Sequence, residues 1–188
     1  MGSIAAEWRD LDVQLAVLDE ALHTPRLQLP TADLRPGCPG VYFTFLSGGP
    51  APYARVADGR WPVCVGSARD LRERVGRHRI NCRSIRNLER GDLVWICPVE
   101  TSSEAAARYV EALSISLLRP LWNQAFMAGF GSKDQGSRRR TQAPPPFALV
   151  HPGRTVGTGD PTVSTGMLRR RIVEHLTQTA MPLWPEIQ

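Results

Sequence analysis

Apolar residues recur along the chain with two spacings, one typical of strands and the other typical of helices. Residues 40–46, GVYFTFL, alternate between two faces, which predicts a strand. Residues 63–65 and 92–99 are short apolar runs, which predicts two more strands. The run at 92–99 is apolar on both faces, so we expect it at the centre of the sheet.

Helical spacing marks four further segments, at 4–23, about 68–79, 103–118 and about 164–177. The first is amphipathic and is predicted to pack on the core. The third and fourth each carry an apolar stripe that should be buried. Those stripes are Val110, Leu113, Leu117 and Leu121 in the third segment and Leu168, Ile172 and Leu176 in the fourth.

Two of the helix starts carry capping signals. Gly66 allows a sharp exit from the second strand because it lacks a Cβ atom. Ser67 and Asp70, three residues apart, predict a capping box, and Thr101 with Glu104 predicts another. The second and third helices are therefore expected to begin close to these pairs.

The order of the segments predicts an α/β (α+β) fold. Its centre is a small mixed or antiparallel sheet of three strands, flanked by helices, with N- and C-terminal extensions. We divide the chain into a helical extension at 1–35, a core at 36–125 and a C-terminal region at 126–188. From Gly129 the composition turns glycine-rich and basic, so this region is either a disordered tail or a set of loops shaped by a ligand.

The charge balance favours a polyanionic partner. The 188 residues include 23 Lys and Arg against 18 Asp and Glu, a net charge of +5, and residues 1–34 are acidic, so the positive charge lies in the rest of the chain. No apolar run reaches membrane-spanning length, and the N-terminus lacks the pattern of a secretory signal. The four cysteines lack zinc-site spacing. We therefore expect a cytoplasmic protein with buried, reduced thiols and no membrane association.

The second helix carries a basic residue and a histidine on one face. Arg74 and His78 are four residues apart, so they lie one turn above each other. This pair suits contact with a phosphate group, because both side chains can be positive. The alternative is a solvated basic helix face.

Glu111 is the only acidic residue between Glu104 and Lys133, and it sits in a largely apolar helix. A partly buried carboxylate needs a partner. One alternative is a salt bridge to Arg108 or Arg119. The other is Mg²⁺, which takes carboxylate oxygen and keeps several waters.

Tyr42 and Asn123 are further candidates for chemistry. The alternation of the first strand places Tyr42 opposite Val41 and Phe43, where it is either a core tyrosine or a catalytic group. Asn123 follows a helix end and is either a cap or a group that orients another by hydrogen bonds.

The order of these residues resembles that of the GIY-YIG nuclease superfamily. The matching residues are Gly40-Val41-Tyr42, Cys64-Val65-Gly66, Arg74, His78, Glu111 and Asn123. Their surroundings resemble the short, dimeric GIY-YIG type II restriction endonucleases of SacII-type specificity, which recognise CCGCGG. Those surroundings are Tyr53, Arg83-Ser84-Ile85, Pro120–Asn123, Gly129–Gly136 and His151–Arg154. The resemblance covers roughly residues 36–156.

The resemblance implies Mg²⁺-dependent hydrolysis of phosphodiester bonds in double-stranded DNA, with one metal ion per active site. Tyr42 would be the general base or orient the attacking water, and His78 would share or relay its proton. Arg74 would hold the scissile phosphate, and Glu111 would hold the metal. Asn123 would order the site.

One motif position departs from the family, since Cys64 stands where the family has its second tyrosine. Tyr53 is a spatial alternative. The departure leaves open a catalytically weakened or inactive DNA-binding protein on the same fold. A repair or homing nuclease of the superfamily is a further alternative, although the chain is short and lacks a separate DNA-binding module.

Basic residues of the C-terminal region are candidates for DNA recognition, because arginine reads guanine bidentately in the major groove. The candidates for base contacts are Arg138, Arg139, Arg140 and Arg154, and those for phosphate contacts are Arg83 and Lys133. The alternative for these residues is a solvated tail. A palindromic target implies a homodimer, and a restriction system implies a cognate DNA methyltransferase.

Overall fold

The computed structural model describes most of the chain between residues 16 and 179. The described residues are 16, 19–21, 23–29, 33–49, 51–83, 93–130, 141–152 and 157–179. Their strands are β1 (Leu27–Gln28), β2 (Gly40–Leu46), β3 (Cys64–Ala68) and β4 (Val94–Glu100). Their helices are α1 (Leu71–Arg83), α2 (Glu104–Leu118), α3 (Pro146–Val150) and α4 (Thr165–Gln178), with 3₁₀ turns at Ala51–Tyr53, Leu121–Asn123 and Ala125–Met127.

The strands form one antiparallel sheet in the order β1-β4-β2-β3. This confirms the predicted class, with one strand more than the three expected. The two-residue strand β1 pairs with β4, and β2 lies between β3 and β4. All seven residues of β2 are buried, because helices α1 and α2 both pack against β2 and β3. The strand predicted at 92–99 lies inside the sheet as expected, since β4 pairs with β1 on one side and β2 on the other, and β2 is interior as well.

The strand β3 runs further than predicted, through Gly66 and Ser67 to Ala68. Gly66 is paired with Tyr42 across the sheet, and a Cβ atom on Gly66 would lie 2.2 Å from the Tyr42 hydroxyl oxygen. Gly66 is thus needed for the close approach of the tyrosine ring rather than for a turn. The predicted sharp exit was wrong.

The capping residues also differ from those predicted. Asp70 caps α1, since its carboxylate accepts hydrogen bonds from the backbone N–H of Glu73 at 3.0 Å and of Gly37 at 2.8 Å. Ser103 caps α2 by accepting from the N–H of Ala106 at 3.1 Å. The side chains nearest the first turn take the cap, which leaves the hydroxyl of Ser67 available for another partner.

The buried face of α2 is lined by small residues. Its buried positions are Ala106, Ala107, Val110, Ser114 and Leu118. Of the predicted stripe, Val110 and Leu121 are buried. The other two residues were predicted wrongly, since Leu117 is 52% exposed and Leu113 is half-buried. Small side chains let a helix approach a sheet closely, whereas the leucine spacing suggested a different face.

The region after Gly129 contributes to the core. Phe147, Val150 and His151 are buried, and the predicted stripe of α4, Leu168, Ile172 and Leu176, is confirmed as buried. Helix α4 packs on the 3₁₀ turn Ala51–Tyr53 and on α3. The imidazole of His175 also lies 2.8 Å from the carbonyl oxygen of Arg119 at the end of α2. Residues 146–150 therefore form a short helix against the core, whereas residues 131–140 and 153–156 of the glycine-rich, basic stretch lie outside the described residues.

Two simpler expectations concern cysteines and membranes. None of the four cysteines, all of which lie among the described residues, forms a disulfide bond, and those at 64, 82 and 97 are buried. No helix among the described residues is long and apolar enough to cross a bilayer.

The close contact at Gly66 generates a stability prediction. Replacing Gly66 with Ala should destabilise the protein by about 1–3 kcal/mol, because the added methyl group overlaps the buried Tyr42 ring. Gly76→Ala in α1 is the matched control, since no described atom outside its own helix backbone lies within 4 Å of its Cβ position. That change should be neutral or stabilise by about 0.5–1 kcal/mol. Urea denaturation measures both, and equal effects of the two variants would contradict the packing described.

Candidate active site

A tyrosine and a histidine form a buried pair between the sheet and α1. The Tyr42 hydroxyl oxygen lies 2.8 Å from His78 Nε2, and the two rings are 5.1 Å apart. Both side chains are almost fully buried. Tyr42 reaches His78 over Gly66, which leaves space for the ring.

Burial keeps both members of the pair neutral. It raises the pKa of Tyr42 well above its usual range, and the nearby Cys64 and Glu111 act in the same direction. It lowers the pKa of His78 to about 4, with a further contribution from the charges of Arg74 and Arg77. At neutral pH the hydrogen bond therefore joins a phenol to a neutral imidazole.

The other side of the His78 ring contacts an aromatic residue. The ring of Phe130 lies parallel to it, with an interplanar angle of 2° and centroids 4.9 Å apart. His78 Nδ1 is buried and has no hydrogen-bond partner among the described residues. The imidazole is thus fixed by Tyr42 on its edge and by Phe130 on its face.

A cleft of about 240 Å³ lies next to α1 and is lined by residues of both charges. Its lining includes Ser67, the carboxylates Asp70, Glu73 and Glu104, and four arginines, Arg69, Arg74, Arg77 and Arg108. Arg77 and Arg108 are paired with carboxylates of their own helices, at 2.8 Å and 2.6 Å. Within the described ranges, Arg69 and Arg74 have no carboxylate partner, and Arg74 Nε is buried without an acceptor. These two guanidinium groups suit an anion such as a phosphate.

Glu111 is half-buried on α2 and accepts a hydrogen bond from the Ser67 hydroxyl through Oε2. The salt bridge to Arg108 or Arg119 is not formed, since Arg108 pairs with Glu104. The described residues contain no cluster of three or more His, Cys, Asp or Glu side chains that could hold a metal. A single carboxylate still fits Mg²⁺, which commonly binds one or two carboxylates together with waters and substrate phosphate.

Asn123 acts on the outer edge of β3. Its side-chain oxygen accepts from the N–H of Val65 and its amide nitrogen donates to the carbonyl of Val65, both at 2.8 Å. The N–H of Trp122 donates to the carbonyl of Val63 at 2.7 Å. Because β3 has no neighbouring strand on this side among the described residues, these groups satisfy its backbone there. Asn123 therefore positions the strand that carries Gly66 and Ser67.

Cys64 and Tyr53 both lie in the interior. Burial raises the pKa of the Cys64 thiol well above its usual range, so the thiol is neutral and unsuited to nucleophilic chemistry. The Tyr53 hydroxyl accepts a hydrogen bond from Trp122 Nε1 at 3.2 Å and contacts His151 Nε2. Tyr53 is fully buried in this aromatic cluster, so its hydroxyl is not open to a phosphate or a water in the cleft.

The side chains of the predicted recognition residues are not among those that the structure describes. Arg83 ends α1, but its side chain is outside the description. The others, Lys133, Arg138, Arg139, Arg140 and Arg154, lie outside the described residues.

Three residues near the site were missed by the sequence analysis. Ser67 was interpreted as a helix cap, because a Gly-Ser pair after a short apolar run is typical of a turn and a helix start. Arg69 directly follows β3, and its position in the lining of the cleft could be recognised only from the structure. Phe130 carries no local signal, because its contact with His78 depends on the tertiary fold.

A known protein family matches this chain. The profile of the family described as the Eco29kI GIY-YIG domain matches residues 52–179, more than half of the chain. The match begins after Tyr42, includes Arg74, His78, Glu111 and Asn123, and extends through α4. A comparison with curated proteins finds no match. The profile match, together with the fold and the arrangement of the site, establishes that the chain belongs to the Eco29kI GIY-YIG domain family.

Proposed function

We propose that this GIY-YIG nuclease domain acts as a type II restriction endonuclease that cuts double-stranded DNA in a Mg²⁺-dependent reaction. The single observation that carries the proposal is the buried Tyr42–His78 pair near Arg74, which lines a cleft together with Ser67. The Ser67 hydroxyl in turn donates to the Glu111 carboxylate. A proton acceptor, an anion site and a metal-binding carboxylate are the parts that phosphodiester hydrolysis requires.

The Tyr42–His78 pair supports proton transfer from the attacking water. With its proton on Nδ1, neutral His78 offers Nε2 as an acceptor for the Tyr42 hydroxyl proton. The Tyr42 oxygen can then accept a proton from water as the water oxygen forms its bond to phosphorus. The low pKa of His78 makes it a weak acceptor on its own. A phosphate in the cleft brings negative charge near the imidazole and strengthens it as an acceptor.

The cleft arginines hold the phosphate. Arg74 lies one turn before His78 on α1, with Nε buried and without an acceptor, so a phosphate oxygen would satisfy a donor that is otherwise orphaned. Arg69 at the end of β3 adds a second guanidinium group. Together they would stabilise the charge that develops on the phosphate oxygens.

Glu111 is the proposed metal ligand. Bound there, Mg²⁺ would supply Lewis-acid stabilisation of the leaving oxygen. Ser67 holds one carboxylate oxygen of Glu111, and the other oxygen has no partner among the described residues.

The proposed target is a G/C-rich palindrome such as CCGCGG, on the resemblance to nucleases of SacII-type specificity. A two-fold symmetric site is matched by a homodimer. The arginines at 138–140 and 154 are the proposed readers of guanine. A DNA methyltransferase of the same specificity would protect the host DNA without forming a stable complex with this protein.

A DNA-binding protein without cleavage is the second candidate, and Cys64 is the observation that favours it. The neutral, buried thiol cannot replace a tyrosine hydroxyl in positioning water. Tyr53 does not compensate, because its hydroxyl is engaged by His151 and Trp122.

Cleavage of plasmid and phage DNA tests the proposal. The wild-type protein should give discrete fragments with Mg²⁺ and none without it. Glu111→Ala should cut about a thousandfold more slowly, because a metal ion supplies several kcal/mol of transition-state stabilisation. Mapping the fragment ends identifies the site. Equal rates for both proteins would contradict the role of Glu111.

The same assay separates the two candidate functions. Tight binding to a CCGCGG duplex without cleavage by wild type, together with cleavage by Cys64→Tyr, would establish the binding-only alternative. Neither binding nor cleavage would overturn both candidates.

The pH dependence of kcat/KM tests the proton relay. His78 must be neutral to accept a proton, and its pKa is about 4, so this group should not limit the reaction above about pH 5. Activity should fall as the pH drops through about 4, without an inflection near 6.5, where an ordinary histidine titrates. Tyr42→Phe, which lacks only the hydroxyl, should lose about 100-fold or more at all these pH values. A full rate for Tyr42→Phe would rule out the relay.

A further inference from the structure

The Ser67 side chain links the sheet to the proposed metal-binding carboxylate. Ser67 is half-buried on β3 and lines the cleft that also contains Arg74. Its hydroxyl donates to Oε2 of Glu111 on α2. Since Asp70 caps α1, the hydroxyl of Ser67 is not used at the helix start.

Among the described residues, this hydroxyl is the only hydrogen-bond donor to the Glu111 carboxylate. Arg108, three residues before Glu111 on α2, is paired with Glu104 at 2.6 Å. A glutamate side chain has several rotatable bonds, and it loses their freedom when it is fixed for a ligand. A hydrogen bond to one carboxylate oxygen fixes the Glu111 side chain before the metal binds and sets the orientation of the other oxygen.

The donor itself is well fixed. Ser67 is paired with Val41 across the sheet, and the adjacent Val65 is tied on its outer edge by the Asn123 side chain. The hydroxyl therefore stands on a rigid strand rather than on a loop. Supporting groups of this kind commonly change the metal affinity of a site by 10- to 100-fold.

We propose that Ser67 is a positioning residue that orients the Glu111 carboxylate for a divalent metal ion. The inference rests on the proposed role of Glu111 and adds a residue to it. A purely structural role predicts that loss of the hydroxyl affects stability alone. A competing role, in which Ser67 holds Glu111 away from the metal, predicts tighter metal binding when the hydroxyl is lost.

Binding of Mn²⁺ to the full chain, measured by electron paramagnetic resonance in the absence of DNA, tests the proposal without depending on activity. Ser67→Ala should raise the dissociation constant about tenfold. Ser116→Ala, an exposed serine on α2, is the matched control and should leave it unchanged. An unchanged or lower dissociation constant for Ser67→Ala would overturn the proposal.

A second pair of variants distinguishes loss of the hydroxyl from misfolding of the protein. Ser67→Thr keeps the hydroxyl, and Ser67→Val has nearly the same shape without it; both residue types are favoured in strands. The threonine variant should bind Mn²⁺ about tenfold more tightly than the valine variant. In cleavage assays the same ratio should appear in the Mg²⁺ concentration for half-maximal rate, with little change in KM for DNA. Equal values for the two variants would contradict the role of the hydroxyl.

Glu111→Gln separates the role of Ser67 from that of Glu111. If Glu111→Gln loses Mn²⁺ binding while Ser67→Ala does not, the inference about Ser67 fails and the metal role of Glu111 stands. If Glu111→Gln retains wild-type Mn²⁺ binding, the proposed role of Glu111 fails.

Discussion

The hydrogen bond between Tyr42 and His78 is the interaction on which the arrangement of the site depends. Two polar rings are buried together, and neither could be buried alone without the cost of an unpaired polar group. The pair forms only because Gly66 has no side chain in the path of the tyrosine ring. It therefore couples the register of β2 and β3 to the position of α1, and it holds a neutral imidazole one helical turn from Arg74, which lines the cleft.

The short strand β3 carries much of what surrounds this pair. Its consecutive residues have separate tasks: Val65 is held at the outer edge by Asn123, Gly66 makes room for the tyrosine, and Ser67 reaches Glu111. Cross-strand neighbours share a face, whereas successive residues alternate. The strand thus contacts Glu111 of α2 through Ser67 and makes room at Gly66 for the tyrosine that bonds His78 of α1.

Several of these features could be predicted from the sequence, and the reason differs between elements. Strand β2 was predicted with its observed bounds because its alternation is strict, and the buried stripe of α4 follows directly from its spacing. The end of β3 was missed because Gly66 and Ser67 have the local chemistry of a turn and a cap. The aromatic contacts of Phe130 and Tyr53 join residues far apart in the chain, and no local pattern encodes them.

The most direct test of this account is the titration of His78 by NMR, with His78→Gln used to assign its imidazole resonances. The structure predicts that His78 stays neutral down to about pH 5 and titrates near 4, because its ring is buried against Tyr42 and Phe130 and lies near two arginines. The signal should move towards the ordinary range in Tyr42→Ala, where water can enter. Titration of the wild-type residue near pH 6.5 would show that the imidazole is solvated and that the buried pair at the centre of the account does not exist.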